Sequence, residues 1–403
     1  MGDLEREDGS QTRDVVVEVT RLLGLARSRG ASDLHLEPTA EGLTVRMRLD
    51  GVLTDVETLD AELARPVIAR LKFLADLLTY RHDIPQEGRL RGEDAEGMGD
   101  LRVSTFPTIH GERMVVRFFD QSRATFELES LNFPPTVLDG LRRTIAGTSG
   151  VALLTGPAGS GKTTTLYAAI NSIVAQSTHR VHVITVEDPV ESVLSGVTQT
   201  QVNPAAGLTY ATALRSLLRQ DPEIVMVGEI RDRETAEIVM QAGLTGHLVL
   251  STLHGGNVAS VIARLLEMGL EPYVITSSLK AVLAMRLVRR LCGDCRRKGP
   301  AVSVAVPGGR FRTKTFEPVG CDECGGTGFR GRLPVVEFTE LSGELKKHIL
   351  ASGDSDTLSA QLEDEHMRTL LEHGIELVQA GKTSLGELSR VLGPLETEGT
   401  AND

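Results

Sequence analysis

The hydrophobic pattern of the first hundred residues predicts two amphipathic helices with a strand between them. Apolar side chains recur at helical spacing over residues 15–26 and again over residues 67–78. Between these segments, residues 43–49 alternate apolar and polar side chains as a half-buried strand does, and Asp50-Gly51 supplies a turn. This combination predicts an α+β domain at the start of the chain.

Over the middle of the chain, short apolar strands alternate with helical patterns. Strands are expected at residues 151–154, 181–186, 224–227 and 248–250. This alternation is typical of a parallel sheet with helices on both faces, in which ligands bind at the carboxyl ends of the strands. About 60 residues at the end of the chain are helical in pattern. The predicted fold class is therefore an α/β domain that follows the α+β domain and ends in helices.

These patterns divide the chain into parts. The expected parts are a polar tail at 1–12, the α+β domain at 13–125, a linker at 126–135, the α/β core at 136–291, a four-cysteine insertion at 292–332, a helical C-terminal subdomain at 333–391 and a polar tail at 392–403. A chain of 403 residues with 40% hydrophobic and 24% charged residues is long enough to build several globular cores.

Charge and composition limit the partners. The net charge is −12, aromatic residues make up 3% of the chain, and there is no Trp. Nucleic-acid binding relies on a positive field and often on aromatic stacking, so we expect no direct nucleic-acid partner. The sequence shows neither a signal peptide nor an apolar run near the roughly 18 residues of a spanning helix. We expect a cytoplasmic protein that reaches a membrane only through a partner.

Residues 156–163 match a phosphate-binding loop at every required position and lie between a predicted strand and a helix-forming stretch. Glycines let backbone N–H groups point at phosphate oxygens, and the helix dipole adds positive charge. We expect Lys162 to reach the β- and γ-phosphates of ATP and the Thr163 hydroxyl to ligate Mg²⁺. A chance match among 41 glycines is the alternative, but it does not account for the strand and the helix. The expected nucleotide-binding residues are Gly156, Pro157, Ala158, Gly159, Ser160, Gly161, Lys162, Thr163 and Thr164.

Acidic residues follow two strands of the predicted sheet. Glu187-Asp188 follows one strand and Glu229 another, so both are expected at the phosphate edge. A carboxylate there can hold Mg²⁺ through water or orient the attacking water, although such residues also serve as helix caps or solvated turns. We predict Glu187 and Glu229 as catalytic residues and leave open which is the base. Gly228 stands where many such sites carry Asp, so we expect Glu229 to contact Mg²⁺ indirectly.

Histidines and arginines add further candidates. His247 and His254 bracket a predicted strand, where they either sense the γ-phosphate or are structural. We include His247 among the predicted site residues. In the first domain, three arginines either reach the phosphates as arginine fingers or are solvated surface residues. They are Arg102, Arg113 and Arg117.

All four cysteines form two pairs with two residues inside each pair and 25 residues between the pairs. Four thiolates in this arrangement predict a tetrahedral Zn²⁺ site, and the site is structural because no position is left open for water. A redox pair is the alternative, but it needs only two cysteines. The predicted zinc ligands are Cys292, Cys295, Cys321 and Cys324.

The ordered motifs from about residue 13 to 391 resemble the ATPases of type II secretion and type IV pilus assembly. The residues that carry this resemblance are Ala31-Ser32-Asp33-Leu34-His35-Leu36-Glu37-Pro38, Pro85-Gln86-Glu87-Gly88-Arg89, Gly111-Glu112-Arg113, the phosphate loop, Val186-Glu187-Asp188-Pro189-Val190-Glu191, Val227-Gly228-Glu229-Ile230-Arg231-Asp232 and Thr245-Gly246-His247-Leu248-Val249-Leu250-Ser251-Thr252-Leu253-His254. The order of these motifs is more specific than any one of them.

The resemblance implies a PAS-like first domain and a RecA-like ATPase core, assembled as a homohexameric ring. It implies that Glu187 belongs to an Asp box, Glu229 to the Walker B motif and His247 with His254 to a His box, and that the first-domain arginines contact phosphates. Such a ring acts on an inner-membrane platform protein to add pilin subunits, so the protein is expected to be peripheral at that membrane. The paired cysteines resemble the assembly-type members.

Three features depart from the family pattern. An extra N-terminal domain by which many members dock is not found, which leaves the docking partner open. Gly255-Gly256-Asn257 follows His254 where Thr-Asn is common, which could loosen this loop, and Met285 replaces a common Gln without an expected effect on ATP chemistry.

Two other functions are left open. One is a DNA-translocating RecA-like ATPase, against which the acidic charge and scarce aromatics count. The other is a non-catalytic nucleotide-binding scaffold, against which Lys162, Thr163 and Glu229 argue.

Overall fold

The protein is described by a computed structural model that covers residues 14–91, 101–118, 126–177, 181–306, 309–351, 357–358, 360 and 367–399. The predicted polar tail at 1–12 lies outside the described residues, as do the last residues of the predicted tail at 392–403. The chain forms two compact units, and the division falls between Ala124 and Thr125.

The first unit is an antiparallel sheet covered on one face by two helices. Its helices are α1 (Val15–Ser28) and α2 (Ala61–Leu74), and its strands are β1 (Asp33–Pro38), β2 (Gly42–Leu49), β3 (Val52–Asp60), β4 (Gln86–Leu90), β5 (Leu101–Thr108) and β6 (Gly111–Phe118). The strands lie in the order β3-β2-β1-β6-β5-β4. The predicted helices and strand are confirmed, except that α2 ends at Leu74 because Asp76 adopts a positive φ of 55°. Leu78, the last residue of the predicted helix, lies outside it and is exposed.

A buried ion pair joins α2 to this sheet. The Lys72 ammonium is fully buried and donates to Glu112 Oε1 (2.7 Å) and to the Arg81 carbonyl (2.6 Å). The other Glu112 oxygen lies 2.6 Å from His82 Nδ1. Paired charges with further hydrogen bonds are the form in which charge is tolerated in a core. Glu112 of the Gly111-Glu112-Arg113 motif therefore has a structural role within this unit.

The second unit contains a seven-stranded mixed sheet and a smaller three-stranded sheet. Its strands are β7 (Gly150–Thr155), β8 (Val183–Glu187), β9 (Thr198–Gln201), β10 (Ile224–Ile230), β11 (Leu248–Leu253), β12 (Leu279–Leu291), β13 (Arg297–Val306), β14 (Gly309–Glu317), β15 (Phe329–Glu340) and β16 (Thr397–Gly399). The large sheet has the order β15-β12-β7-β11-β10-β8-β9 and is parallel except for β15. The four predicted strands of the core are confirmed as β7, β8, β10 and β11.

Helices cover both faces of the large sheet. They are α3 (Pro135–Ile145), α4 (Lys162–Gln176), α5 (Tyr210–Leu217), α6 (Arg233–Leu244), α7 (Val258–Glu267), α8 (Pro272–Ser278), α9 (Gly343–Ala351), α10 (Leu370–Gln379) and α11 (Leu385–Leu392). Alternate residues of β7 pack into two separate cores. Val151 and Leu153 pack into one core, and Ala152 and Leu154 pack into the other. This is why β7 reads as a continuous apolar run instead of an alternating one. The predicted fold class, an α+β unit followed by an α/β unit, is confirmed.

The end of the chain differs from its prediction as a helical subdomain beginning at residue 333. Residues 329–340 form β15, which pairs antiparallel with β12, and the helical pattern begins only at Gly343. A short, mostly apolar run such as 333–338 does not distinguish a strand from a buried helix, because residues on both faces are buried. Part of the predicted polar tail also pairs, since β16 joins β13 in the three-stranded sheet.

Candidate functional site

The phosphate loop connects the carboxyl end of β7 to the start of α4. Gly156, Gly159 and Gly161 adopt positive φ angles of 150°, 73° and 96°. A Cβ atom on Gly156 would also lie 2.4 Å from the Met285 carbonyl oxygen. Both the backbone conformation and the close approach of β12 therefore favour glycine in this loop.

Lys162 is held inside the loop by carbonyl groups. Its Nζ donates to the carbonyl oxygens of Gly156 (2.8 Å) and Pro157 (2.9 Å). Burial lowers the pKa of Lys162, while the nearby Glu229 carboxylate acts against this change. The ammonium forms no ion pair with any of the described residues.

The loop offers unused donors that fit a polyphosphate. The Ser160 hydroxyl is buried and has no hydrogen-bond partner among the residues that the structure describes. Gly161 precedes α4 without a side-chain cap, so within the described part of the chain the first N–H groups of this helix have no side-chain acceptor. Thr163 and Thr164 follow on the first turn of α4 and are half-buried. Free N–H groups, a hydroxyl and an ammonium converging at one helix start suit a phosphate chain.

Glu187, at the end of β8, is buried and fully hydrogen-bonded. Its carboxylate accepts from the hydroxyls of Tyr167 and Thr185 and from Gln199 Nε2 (3.1 Å). Burial and the bond to Glu187 raise the pKa of Tyr167 above its usual range, so the phenol remains a donor. Glu187 thus accepts hydrogen bonds from residues of α4 and β9, and these bonds occupy its carboxylate oxygens.

Glu229 lies at the end of β10 and is more accessible, with its side chain 20% exposed. The pairing of β10 with β11 shifts between Val227 and Ile230, so the strand bulges at Glu229. One Glu229 oxygen accepts from Arg231 Nε (2.6 Å), and the other lies 3.3 Å from His254 Nε2. Glu229 is also the carboxylate whose charge acts on Lys162. Of the two predicted glutamates, Glu229 is therefore the more accessible, and it is the one whose charge acts on Lys162 in the loop.

Gly228 packs against Tyr210. A Cβ at this position would lie 2.8 Å from the Tyr210 hydroxyl oxygen, so a larger residue requires the tyrosine to move. The Gly228 carbonyl accepts from Thr252 Oγ1 (2.8 Å). An Asp in this position does not fit without rearrangement.

Asp232 of the same motif caps α6. Its carboxylate accepts from the Thr235 N–H at 2.8 Å. We expect Asp232→Ala to lower the free energy of unfolding by about 0.5–2 kcal/mol, the usual cost of losing such a cap, without raising the KM for ATP. Urea unfolding followed by circular dichroism measures the loss. Asp232→Asn is the control because it keeps a capping oxygen, and a stable Asp232→Ala variant with impaired nucleotide binding would instead place Asp232 in the site.

The structure does not bring His247 to the phosphate loop. Its carbonyl accepts from Gly150 N–H at the amino end of β7, and its Nδ1 lies 3.1 Å from the Ala242 carbonyl oxygen. The loop is at the other end of six-residue strands, about 20 Å away at the usual rise per residue. His254 follows the carboxyl end of β11 and contacts Glu229. The rule that ligands bind at carboxyl ends of parallel strands already separates these two histidines.

The loop that follows β11 is held tightly, contrary to the expected loosening. Thr155 Oγ1 donates to the Gly255 carbonyl (3.0 Å), and Gly256 N–H donates to Ser260 Oγ (2.8 Å). A Cβ atom on Gly255 would lie 3.0 Å from the side chains of Ser260 and Val261. The close packing of this loop favours the glycine.

Three residues near the site were assigned no role from the sequence. Met285 lies beneath the phosphate loop, and a Cβ on Gly161 would lie 3.2 Å from its terminal methyl carbon. Arg286 donates to the Gly256 carbonyl (2.8 Å). Glu337 is buried and accepts from the first N–H groups of α7 (2.8 Å) and α10 (3.4 Å). Their partners are distant in sequence, so no local pattern identifies them.

In the first unit, the three predicted arginines share one face of the sheet. Arg102 lies opposite Arg117 in the β5–β6 register, and Arg113 is four residues before Arg117 on the same strand. Each makes an ion pair. Arg102 pairs with Glu87 (2.7 Å), Arg113 with Glu37 (2.8 Å) and Arg117 with Asp33 (2.9 Å). Alternate acidic residues of β1 thus pair with Arg113 and Arg117, whereas the partner of Arg102 lies on β4.

The four cysteines converge at the base of the β13–β14 hairpin. Cys292 and Cys295 lie between β12 and β13, and Cys321 and Cys324 lie between β14 and β15. Their sulfur atoms all lie within 4.8 Å of one another, so the cluster is able to hold a metal ion. The hairpin accounts for the long interval between the pairs.

Backbone donors support a thiolate at Cys324. Burial opposes ionisation, but N–H groups of Cys321 (3.2 Å) and Gly328 (3.1 Å) donate to its sulfur and lower the pKa of this thiol to about 6. Positive φ angles at Gly325, Gly326 and Gly328 shape the turn that presents these groups. Such N–H bonds stabilise metal-binding thiolates.

Residues 9–390 match the Type II/IV secretion system protein family. The type II secretion system protein HxcR of Pseudomonas aeruginosa is 42% identical over 96% of this chain and 79% of its own length. The type II secretion system ATPase E of Vibrio cholerae is 40% identical over 96% of this chain and 76% of its own length. The type IV pilus assembly ATPase TfpB of Acinetobacter baylyi is 38% identical over 97% of this chain and 68% of its own length.

Among solved structures, the ATPase DotB of Legionella pneumophila has a similar fold. The TM-score is 0.67, with 23% identity, and the match covers 94% of this chain and 96% of that one. In the part of the chain that is described, no helix combines the length and hydrophobicity of a membrane-spanning segment. The resemblance predicted from the motifs is confirmed, and the chain belongs to the Type II/IV secretion system protein family.

Proposed function

We propose that this protein is a Mg²⁺-dependent ATPase that powers assembly of a type II secretion pseudopilus or a type IV pilus. The observation that carries the proposal is the phosphate loop with its unused donors, faced by an accessible Glu229. The relatives named as ATPases of type II secretion and of type IV pilus assembly support the process.

In the proposed reaction, the loop N–H groups and Lys162 bind the phosphates of ATP. The Thr163 hydroxyl would hold Mg²⁺, and the ion would supply positive charge to offset the negative charge of the phosphates. Glu229 orients a water molecule and accepts its proton while the water oxygen bonds to the γ-phosphorus and the bond to the bridging oxygen breaks, which releases ADP and phosphate. Lys162 and the loop donors stabilise the charge on the leaving oxygen.

Glu229 suits the role of base better than Glu187. Each Glu229 oxygen has one side-chain contact at the open edge, whereas Glu187 is buried and accepts from three side chains. His254 lies beside Glu229 and helps to hold its carboxylate. Glu187 instead anchors the segment that leads to Asp188, whose carboxylate pairs with Arg231 (3.3 Å).

We infer further that the protein works as a homohexamer in which first-unit arginines of one subunit reach the phosphates on another. Arg102, Arg113 and Arg117 are partly exposed and share one face, which supports a common target. The proposed location is the cytoplasmic side of the inner membrane, where a platform protein of the secretion or pilus machine receives the motion. Direct nucleic-acid contact is not part of the proposal, in keeping with the charge of −12.

The cysteine cluster is proposed to hold one structural Zn²⁺. Three measured sulfur–sulfur distances are 3.8, 3.8 and 3.9 Å. A tetrahedron with Zn–S bonds of about 2.3 Å has edges of about 3.8 Å, so these three distances match the edges of such a site.

The rate per chain is expected to rise with protein concentration if arginines act between subunits. An arginine finger contributes about 10³–10⁵ in rate, so assembly should increase turnover strongly. Phosphate release and light scattering, measured over the same concentrations, test this. Arg113→Gln should lower the rate of the assembled protein, and Arg29→Gln, an exposed change in the same unit, should not. Full turnover by monomers would contradict the hexameric mechanism.

A further inference from the structure

Arg286 lies across the carboxyl end of β7. In the parallel pairing of β12 with β7, Ala284 is opposite Thr155, the last residue before the phosphate loop, and Arg286 is two residues further along β12. Its Nη2 donates to the Gly256 carbonyl (2.8 Å), in the loop that follows β11, and its Nη1 donates to the Met285 carbonyl (2.9 Å). The guanidinium therefore extends from β12 towards β11, at the base of the phosphate loop.

Within the described ranges, the Arg286 charge is not neutralised by an ion pair. None of the described carboxylates forms one with it, and its observed partners are neutral carbonyl groups. Burial lowers the pKa of Arg286, and Glu337 is the nearby carboxylate that acts against this change. A half-buried cation without a paired anion is costly to maintain for packing alone. Since a guanidinium has five N–H donors, donors are left for another acceptor.

A second cation and an unused hydroxyl lie at the same place. The Arg286 charge is close enough to lower the pKa of Lys162, whose partners among the described residues are also carbonyl groups. The Ser160 hydroxyl, in the same loop, is buried and is not bonded to any described residue. Arg286 and Lys162 repel one another, and the Ser160 hydroxyl beside them is an unused donor. An anion bound between the two cations would relieve this repulsion and accept from the hydroxyl.

The position of Arg286 relates it to the end of the phosphate chain. Gly256, which it contacts, is two residues after His254, and the His254 ring lies beside Glu229. In the sheet order, β12 and β10 are on opposite sides of β7. Arg286 and Glu229 thus approach the loop from opposite sides, and both border the place where the attacked phosphate would lie.

We propose that Arg286 binds the terminal phosphate of ATP together with Lys162 and thereby distinguishes ATP from ADP. This inference rests on the proposed ATPase function and adds a residue of this chain to its site. ADP lacks the phosphate that Arg286 would contact, so its binding depends on Arg286 far less. The bond to Gly256 then also connects the bound phosphate to the loop that carries His254.

The test is nucleotide affinity of Arg286→Gln, measured with Mg²⁺ and either ADP or a non-hydrolysable ATP analogue. Glutamine retains an N–H₂ group that is able to donate to Gly256 but lacks the charge. We expect affinity for the ATP analogue to fall about 10–100-fold, the usual weight of a charged hydrogen bond, and affinity for ADP to change by less than about threefold. Arg286→Lys should recover part of the loss, because it restores the charge.

Arg290→Gln is the matched control, since Arg290 is an exposed arginine on the same strand. It should leave both affinities unchanged. Equal losses for both nucleotides in Arg286→Gln, or no loss for either, would overturn the role of Arg286 while the wild-type protein still binds ATP. Failure of the wild-type protein to bind either nucleotide would overturn the proposed function itself and the inference with it. Thermal unfolding of both Arg286 variants verifies that they fold.

Discussion

Glu229→Gln is expected to lower kcat for ATP hydrolysis by about 10²–10⁴ while ATP affinity stays close to that of the wild-type protein. Glutamine retains the shape of the side chain and a hydrogen bond to the water but cannot accept its proton. The Glu229 carboxylate is accessible, lies beside His254 and acts electrostatically on Lys162. Steady-state phosphate release gives kcat, and nucleotide titration gives the affinity.

Two further variants separate binding from chemistry. Lys162→Ala removes the ammonium that the loop carbonyls hold, so we expect it to lose nucleotide affinity as well as turnover. Glu237→Gln is the control, because Glu237 is an exposed glutamate that pairs with Arg233 on α6. A nearly normal kcat in Glu229→Gln would exclude it as the base. In that case Glu187 becomes the candidate, even though three side chains already occupy its oxygens.

Removing the proposed zinc is expected to destabilise the second unit by on the order of 5 kcal/mol or more, since a structural zinc contributes directly to folding free energy. The cluster joins the β13–β14 hairpin to β12 and β15, so its loss releases the base of this hairpin. Cys324→Ser should abolish metal binding and lower the unfolding temperature. Metal content by atomic emission and thermal unfolding with and without a chelator measure both effects.

The matched control is Asp322→Asn, which changes an exposed side chain in the same turn. It should keep one zinc per chain and the wild-type unfolding temperature. Zinc content far below one per chain in freshly purified wild-type protein would contradict the four-thiolate site. A stable, metal-free Cys324→Ser variant would show that the hairpin packs without the ion.

The strands of the core, the phosphate loop and the cysteine pairs were all predictable from the sequence. Each depends on a short stretch of chain: an apolar run between helices, glycines at set intervals before Lys162, or two cysteines in one turn. Their geometry is local, so neighbouring residues are sufficient to specify it. The pattern also implies that the strands are parallel. Because ligands bind at the carboxyl ends of parallel strands, this predicts His254 near the site and His247 at the opposite end of β11.

Long-range packing decided the rest. β15 was not recognised because an apolar run buried on both faces has no diagnostic period. Which of Glu187 and Glu229 is accessible to a ligand depended on residues from other elements. Tyr167 on α4 and Gln199 on β9 donate to the Glu187 carboxylate and occupy its oxygens. In the same way, Arg286 meets Gly256 thirty residues away along the chain.

The sequence alone therefore determined which chemical groups this protein possesses and which short segments present them. Tertiary structure decided which of these groups remain available for a ligand. The physical reason is that availability depends on burial and on hydrogen-bond partners from other elements. Glu187 and Glu229 illustrate this, since both lie at the carboxyl ends of strands in one sheet and differ in the residues that surround them.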